Sequence, residues 1–456
     1  ELLPVLVQIF NHFGFFDLFR IDVCTVAGAR MTVFPVCRPR DNPFHNFYHA
    51  VDVTQTVFSL LVSMGGESFL SMLECFAVLI AALCHDLRHP GLNNTYQINK
   101  QTPLALLYND QSVLEHHHCA SAFRILNEPK TNILSGLSPQ EHRLVRGALT
   151  TSILATDMTC HFVLIEKFNT VLEAQTQQAN ATAPPTSGSI PSSTPSATSA
   201  TVSSQALGAK SLSPAFASSP TSAAANAAAS TKDAALSAGA AGVAPVSDKD
   251  RAIILNVLLH TADISNPCKP WDTCLKWSDR VLQEFFNQGD IEREQGLPIS
   301  PNSDRETTDQ AQLNLNFIDF IVAPLFVSVR SLLPKVQSCC HYLKSNRNEW
   351  AKIFTKNVDR SKRSKADKAQ EKARWIKRSQ SFHQILLPES GEGGLNATMT
   401  SEDTDEKEGD RRSSVLAVKD FFRANSKPPS NHSSAPSSPP VEARSSSPPT
   451  TISLSV

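Results

Sequence analysis

Apolar residues recur at helical spacing along two long stretches of the chain, residues 1–173 and 248–355. Both stretches are rich in Leu, Ile, Val and Phe, and they carry few signals for β-hairpins. The apolar run from Phe69 to Cys84 predicts a helix long enough to pass through a core. We therefore expect an all-α fold in which several helix ends converge on a deep pocket.

Between residues 174 and 247 the composition changes to Ala, Ser, Thr and Pro, with Phe216 as the only aromatic residue. Such a segment cannot bury enough apolar surface to offset its ordering entropy, so a disordered insertion is expected there. From about residue 387 to residue 456 the chain is rich in Ser, Pro and Glu, which predicts a disordered tail.

Basic residues are concentrated between the second apolar stretch and the tail. Residues 352–378 contain eleven Lys and Arg against three acidic residues, in a pattern that permits a helix over residues 356–386. A solvated terminal helix is the simpler interpretation. Contact with an anionic surface or with a calmodulin-like protein is the alternative.

The overall composition gives little reason to expect nucleic acid as a partner, since the net charge is −1. The ten cysteines lack paired spacing apart from Cys339 and Cys340, which favours reduced thiols in an intracellular, cytoplasmic protein. The longest unbroken apolar run, Cys75 to Cys84, is too short to cross a bilayer. Because the chain begins at Glu1, we expect a missing N-terminus, through which membrane attachment stays open.

Histidines and carboxylates cluster where apolar helices are predicted to end. His85 and Asp86 follow the run to Cys84, and burial there is costly unless the two are paired or bind a metal. His89 follows one turn later, before Pro90 and Gly91 break the helix. Asp263 likewise follows an apolar stretch, and further candidates are His45, His49, Glu115, His116, His117, His118 and His260.

Each cluster alone also has a plainer interpretation, such as a structural histidine pair for His45 and His49, a buried ion pair, or an exposed polar turn. Together they supply imidazole and carboxylate but no thiolate, which suits two hydrolytic metals better than a structural zinc. Since Asp263 lies beyond the insertion, the two apolar stretches are expected to form one domain. The sequence thus predicts a dinuclear site for phosphate-ester hydrolysis.

The motifs His-Asn-x-x-His, His-Asp-x-x-His-Pro-Gly, Leu-Glu-x-His-His, Ala-Thr-Asp-Met and Asp-x-x-Asn-Pro occur in this order along the chain. They occupy residues 45–49, 85–91, 114–118, 155–158 and 263–267. This series resembles the class I 3′,5′-cyclic nucleotide phosphodiesterases over roughly residues 1–350, without the insertion. The resemblance implies a compact multi-helix catalytic domain, formed by residues 1–173 and 248–355.

The resemblance also implies a division of roles at the metal site. A first metal, usually zinc, would be held by His49, His85, Asp86 and Asp263. Asp86 would bridge to a second metal, usually magnesium or manganese, and a hydroxide between the metals would attack phosphorus. As an imidazolium, His45 would protonate the departing 3′ oxygen, and His89 and Glu115 would orient metal-bound water and the acid.

For the base, the resemblance implies a purine clamp formed by Val281 and Phe317, with Asn266 nearby. The family has Gln three residues before that Phe, whereas this chain has Asn314. Either the shorter amide binds the base, or a local insertion brings Gln312 into that role.

The subfamily signals are mixed. Residues 42–47 and 93–99 resemble the high-affinity cyclic-GMP subfamily, whereas residues 263–271 and 284–290 resemble cyclic-AMP-specific members. Hydrolysis to the 5′-monophosphate is expected, with cyclic AMP slightly favoured. The alternatives are a catalytically weak cyclic-nucleotide sensor or scaffold, and a metal-dependent phosphohydrolase that acts on another nucleotide.

The tail contains one candidate regulatory site. Two arginines precede Ser414 in the segment Arg411 to Val415, which resembles the substrate pattern of basic-directed kinases. Phosphorylation would add nearly two negative charges there. The oligomeric state is not indicated by the sequence.

Overall fold

The structure, a computed structural model, describes residues 3–21, 42–182, 246–361 and 364–374. Within these ranges it is helical and contains no strand, as the all-α prediction requires. The helices are α1 (Leu3–His12), α2 (Phe15–Leu18), α3 (Phe47–Phe58), α4 (Met72–Cys84), α5 (Asn94–Asn99), α6 (Pro103–Leu107), α7 (Val113–Leu126), α8 (Pro139–Leu154), α9 (His161–Thr182), α10 (Asp248–Asp263), α11 (Trp271–Glu294), α12 (Gln310–Phe317), α13 (Ala323–Leu332) and α14 (Gln337–Arg360).

Short irregular helices link several of these elements. Two π-helical turns, Ser59–Ser63 and Ile318–Val322, continue α3 and α12 without a break. A 3₁₀ turn at Asn266–Cys268 separates α10 from α11, and residues 365–374 form a last helical segment. The predicted basic region at 356–386 is therefore helical at 356–360 and 365–374, and residues 375–386 lie outside the described residues.

Helix α4 forms the centre of the core. It begins with a capping box, in which the Ser71 side chain accepts from the main-chain N–H of Glu74 and the Glu74 side chain accepts from Ser71. Its residues from Cys75 to Ala82 are all buried, because α3, α8 and α10 pack around it. A helix that is apolar on every side is stable only where other helices cover all of its faces.

Helices α9 and α10, on the two sides of the predicted insertion, pack against each other and contribute to one core. Helix α10 begins at the predicted residue 248, where the Ser247 side chain caps it. Helix α9 continues to Thr182, so residue 173, where the first apolar stretch was predicted to end, lies inside a helix. Helix α14 likewise continues past residue 355, the predicted end of the second stretch, and ends at Arg360. The remaining insertion and tail, with Ser414, lie outside the described residues.

One described helical run, Gln310–Leu332, is long and apolar enough to cross a membrane by length and composition alone. Core helices satisfy the same criterion. In this run Asp319 forms a buried ion pair with Arg347 of α14, at 2.7 Å. Its buried core residues include Leu315, Ile318, Val322, Leu325 and Phe326, as expected of a core helix.

Candidate metal centre and active site

Three helices bring four predicted metal ligands together. His49 lies in the first turn of α3, where the Asn46 side chain caps the helix by accepting from the main-chain N–H groups of Tyr48 and His49. His85 and Asp86 follow the last residue of α4, and Asp263 is the last residue of α10. Ligand atoms from His49, His85, Asp86 and Asp263 all lie within 4.8 Å of one another.

The distances within this quartet suit a single cation. His49 Nε2 lies 3.3 Å from His85 Nε2, 3.3 Å from Asp86 Oδ2 and 3.1 Å from Asp263 Oδ1. His85 Nε2 lies 3.1 Å from Asp86 Oδ2 and 3.3 Å from Asp263 Oδ1. A tetrahedron around an ion with bonds of about 2.0 Å has edges of about 3.3 Å. The four side chains therefore fit a divalent cation.

Neighbouring groups prepare the quartet for a positive charge. The other nitrogen of His85, Nδ1, is hydrogen-bonded to the main-chain oxygen of Ala82 at 2.8 Å, so Nε2 faces the carboxylates. Burial alone would raise the pKa of Asp263, but His85 and His49 hold it below its usual range. The pKa of Asp86 is lowered in the same way, against the effect of burial, by His85 and His45.

The two carboxylate oxygens of Asp86 have different neighbours. Its Oδ2 lies in the quartet, whereas its Oδ1 lies 3.7 Å from Nε2 of His118. Nδ1 of His118 is hydrogen-bonded to the main-chain oxygen of Leu87 at 2.7 Å. Burial lowers the pKa of His118 to about 4, so its ring is neutral near pH 7. The sequence marked His118 only as one member of a histidine cluster, and the structure places it against the second oxygen of Asp86.

His45 is paired with a carboxylate that the sequence did not single out. Glu284 of α11 places Oε1 against His45 Nδ1, and its Oε2 accepts from the main-chain N–H groups of Phe44 at 3.0 Å and His45 at 3.1 Å. Burial alone would lower the pKa of His45, but the Glu284 carboxylate raises it to about 9. Burial would raise the pKa of Glu284, but His45 lowers it to about 2. The imidazolium–carboxylate pair is thus the stable form at neutral pH.

A signal for Glu284 was present in the sequence. Trp277, Glu284 and Gln288 lie seven and four residues apart on α11, a spacing that puts them on one helix face. All three are buried, and Trp277 packs against Phe44 and His49. A glutamate on the apolar face of an amphipathic helix indicates a buried partner.

His89 lies against the predicted acid. Its ring stacks on that of His45 with centroids 3.9 Å apart and an interplanar angle of 19°. Burial and the charge of His45 lower the pKa of His89 well below its usual value. His89 is not on α4, because that helix ends at Cys84 and Arg88 adopts a positive φ of 61°. The expectation that the helix continues to Pro90 is therefore wrong.

Glu115 lies in the first turn of α7, where Asn94 donates to both of its carboxylate oxygens at 3.3 and 3.0 Å. Burial and the nearby Asp157 raise the pKa of Glu115 to about 8. Glu115 does not belong to the quartet, and its orienting role stays a prediction. The next residue, His116, hydrogen-bonds to the main-chain oxygen of Ser112 and stacks on Tyr108.

Three of the four predicted base-binding residues lie on α11 and α12, and the fourth, Asn266, lies in the turn after α10. Asn314 of α12 donates through Nδ2 to Oγ of Ser278 on α11, at 2.7 Å, and to the main-chain oxygen of Gln310, at 2.9 Å. Val281 lies about one turn after Ser278 on α11, and Phe317 lies about one turn after Asn314 on α12. Asn266 opens the 3₁₀ turn after α10, and its Oδ1 is buried without a described partner. The roles of these residues stay predictions.

The fold and site define a helical protein with a candidate metal centre beside a carboxylate-paired histidine. Residues 44–343 match the family model of the 3′,5′-cyclic nucleotide phosphodiesterases. The chain belongs to this family. It is 34% identical over 350 residues to the 3′,5′-cyclic-nucleotide phosphodiesterase regA of Dictyostelium discoideum, covering 77% of this chain and 36% of that protein.

Other relatives differ in the nucleotide that their names specify. The human dual specificity calcium/calmodulin-dependent phosphodiesterase 1C is 32% identical, covering 73% of this chain and 37% of the relative. The mouse high affinity cGMP-specific phosphodiesterase 9A is 31% identical, covering 74% and 50%. The chain therefore spans between about a third and a half of the length of these relatives.

Solved structures show the same fold. The phosphodiesterase domain of the RhoPDE fusion protein from the choanoflagellate Salpingoeca rosetta superposes with a TM-score of 0.59 at 30% sequence identity. The match covers 77% of this chain and 90% of that domain.

Proposed function

We propose that this chain hydrolyses the 3′,5′ phosphodiester of a cyclic nucleotide to the 5′-monophosphate. The observation that carries the proposal is the position of the His49, His85, Asp86 and Asp263 quartet beside the His45–Glu284 pair. A cation site next to a charged proton donor supplies what phosphate-ester cleavage needs, namely charge neutralisation and leaving-group protonation. The names of the relatives support the same reaction.

We assign the quartet to zinc, since two imidazole nitrogens and two carboxylate oxygens at tetrahedral spacing suit that ion. Asp86 Oδ1 faces away from the quartet, and a single carboxylate oxygen supplemented by water suits magnesium or manganese. When bound, such cations neutralise charge on the phosphoryl oxygens and activate water as a nucleophile.

His45 is the proposed general acid. Glu284 keeps its imidazole charged at neutral pH and fixes its Nδ1, so that Nε2 is the nitrogen left to protonate the departing 3′ oxygen. His89 covers one face of this ring and stays neutral, so it adds no competing positive charge. His45 is about a quarter exposed, whereas His49 and His85 are fully buried, as expected if only His45 meets the substrate.

A preference for cyclic AMP is proposed from the Asn314 amide. The main-chain oxygen of Gln310 can only accept, which fixes Nδ2 toward it, and Ser278 occupies the other N–H. Oδ1 is then the atom left for the base, and it can only accept. The exocyclic amino group of adenine donates, whereas guanine carries a carbonyl oxygen in that position. The names of the relatives specify dual specificity or cGMP, so they do not support this preference. It depends on Asn314 and on the resemblance of residues 263–271 and 284–290 to cyclic-AMP-specific members.

Regular α-helical geometry over Gln310–Phe317 favours Asn314 over Gln312 as the base contact. Asn314 is three residues before Phe317, about 60° away around the helix, whereas Gln312 is five residues before it, about 140° away. The extra residue of the π-helical turn falls after Phe317, so it does not shift this register.

The eight described cysteines are all free thiols, in support of the proposed intracellular location.

A catalytically weak sensor is the second candidate, and the shorter reach of Asn314 is the observation that favours it. The test is a turnover assay of the purified chain with magnesium, using cyclic AMP and cyclic GMP separately, with metal analysis of the same sample. We expect the 5′-monophosphate as product, formed faster from cyclic AMP. Tight binding of both nucleotides without turnover in a metal-loaded sample would favour the sensor. Turnover of other phosphate esters alone would point to a different phosphohydrolase.

A further inference from the structure

Asn42 joins the two segments that carry the stacked imidazoles of His45 and His89. Its side-chain Nδ2 donates to the main-chain oxygen of His45 at 3.1 Å and to that of His89 at 2.9 Å. Both N–H groups of one carboxamide are thus used on residues that are 44 positions apart in the sequence. Because the two rings stack at 3.9 Å, the spacing of these main-chain segments also sets the spacing of the rings.

Asn42 is itself held in place. Its main-chain oxygen accepts from the Asn46 side chain at 3.0 Å, and Asn46 is the residue that caps α3. The carboxamide therefore projects from a fixed point at the start of the helix that carries His49. A fixed donor can impose a position on the two carbonyl groups that it binds.

Gly91 provides the space that the Asn42 carboxamide occupies. A Cβ atom added at position 91 would lie 2.6 Å from Oδ1 and 3.2 Å from Cγ of Asn42. Gly91 also has a φ of +74°, and its main-chain N–H donates to Nδ1 of His89 at 3.0 Å. The hydrogen bond from Gly91 to Nδ1 fixes the ring of His89. The absence of a side chain at Gly91 leaves room for the Asn42 carboxamide, which fixes the main chain of His89.

We propose that Asn42 and Gly91 form a positioning pair that sets the His45–His89 stack and thereby aims the acid at the leaving oxygen. The inference rests on the proposed function, because it takes His45 as the acid. Neither residue of the pair belongs to the metal quartet, and Asn42 acts only through the main chain. Its contribution should therefore appear in the chemical step and not in metal binding.

The central test is a double-mutant cycle on turnover with Asn42→Ala, Gly91→Ala and the double variant. A displacement of about 1 Å in a catalytic group can cost up to about 10²-fold, so we expect Asn42→Ala to lower kcat about 10- to 100-fold. KM and metal content should stay unchanged. Gly91→Ala should cause a similar loss in the wild-type background but little further loss beside Asn42→Ala, because the added Cβ then meets no carboxamide.

Thermal unfolding separates this coupling from backbone strain. An alanine at φ +74° is strained whatever lies nearby, so Gly91→Ala should lower Tm in both backgrounds, whereas its loss of kcat should be large only where the Asn42 carboxamide is present. Asn42→Asp is nearly isosteric but cannot donate, and it should lose as much kcat as Asn42→Ala. Asn287→Ala, an exposed asparagine of α11, is the matched control and should leave kcat unchanged.

The outcomes distinguish this inference from the proposed function. A metal-loaded wild type with no hydrolysis of cyclic nucleotide would remove the proposed function itself. With an active wild type, the inference is overturned if Asn42→Ala and Asn42→Asp keep full kcat, or if their loss comes with lost metal or a raised KM. Equal and additive losses from Gly91→Ala in the two backgrounds would also overturn it.

Discussion

The Glu284 carboxylate holds His45 at two points, since one oxygen accepts the main-chain N–H of His45 at 3.1 Å and the other lies against Nδ1 of its ring. The first contact fixes where the residue sits, and the second fixes the ring and its charge. One side chain from α11 thus determines both the orientation and the protonation of the proposed acid. The two effects can be separated by replacing the carboxylate with an amide.

Glu284→Gln should move the alkaline limb of the kcat profile to lower pH. A general acid must carry its proton, so the rate falls as pH rises through its pKa. Glu284 raises the pKa of His45 to about 9, and a neutral amide would let burial lower it again. The measurement is kcat between about pH 6 and pH 10. Glu294→Gln, at the exposed end of α11, is the control, and an alkaline limb that does not move in Glu284→Gln would contradict the pairing.

His45→Ala should retain the bound metal but lose most of its turnover. His45 lies outside the quartet, so metal content measured on the purified variant should match that of the wild type. Turnover should fall by about 10²- to 10⁴-fold, the usual contribution of a general acid. Loss of metal from this variant would show that His45 is a ligand and that the acid lies elsewhere.

Asp86→Ala should be the most damaging single change. Asp86 Oδ2 lies within 3.3 Å of both quartet imidazoles and its Oδ1 faces His118, so it is the residue positioned to serve two cations. Losing a group that only hydrogen-bonds to a metal ligand typically lowers metal affinity or activity about 10- to 100-fold. Losing a ligand shared by two cations should lower them further. We expect metal content to fall along with turnover, as judged by elemental analysis and the same assay. Substantial activity in Asp86→Ala would refute the bridging role.

The positions of most of the quartet were predictable because sequence alone shows where a buried helix ends. A carboxylate or histidine directly after an apolar run lies at the edge of the core, and several such ends can meet at one place. His85, Asp86 and Asp263 all follow this rule in the structure. The fold class was equally accessible, since helical periodicity continues through both apolar stretches.

Features that depend on long-range docking or on backbone detail were not accessible in the same way. Glu284 meets His45 across 239 positions, and only the packing of α11 on the site brings them together. The turn that places His89 after α4 depends on Arg88, which adopts a positive φ that is uncommon for its residue type. Helix α9 continues past residue 173, where large apolar residues become rare, because Ala and Gln are good helix formers.

Asn314→Gln should tighten the binding of cyclic AMP. The Asn314 amide is one methylene shorter than the family's Gln, and both of its N–H groups are already bound to Ser278 and Gln310. A longer side chain could keep one of these bonds and still reach the base, and one regained hydrogen bond contributes about 1 kcal/mol. We therefore expect KM for cyclic AMP to fall about fivefold with kcat nearly unchanged.

Gln312→Ala is the discriminating companion, because Gln312 lies on a different face of α12 from Phe317. It should leave KM for both nucleotides unchanged if Asn314 contacts the base. Steady-state kinetics of both variants with cyclic AMP and cyclic GMP provide the test. An unchanged KM in Asn314→Gln together with a large rise in Gln312→Ala would assign base recognition to Gln312. The cyclic AMP preference would then lose its structural support, which comes from the Asn314 amide as oriented by Gln310 and Ser278.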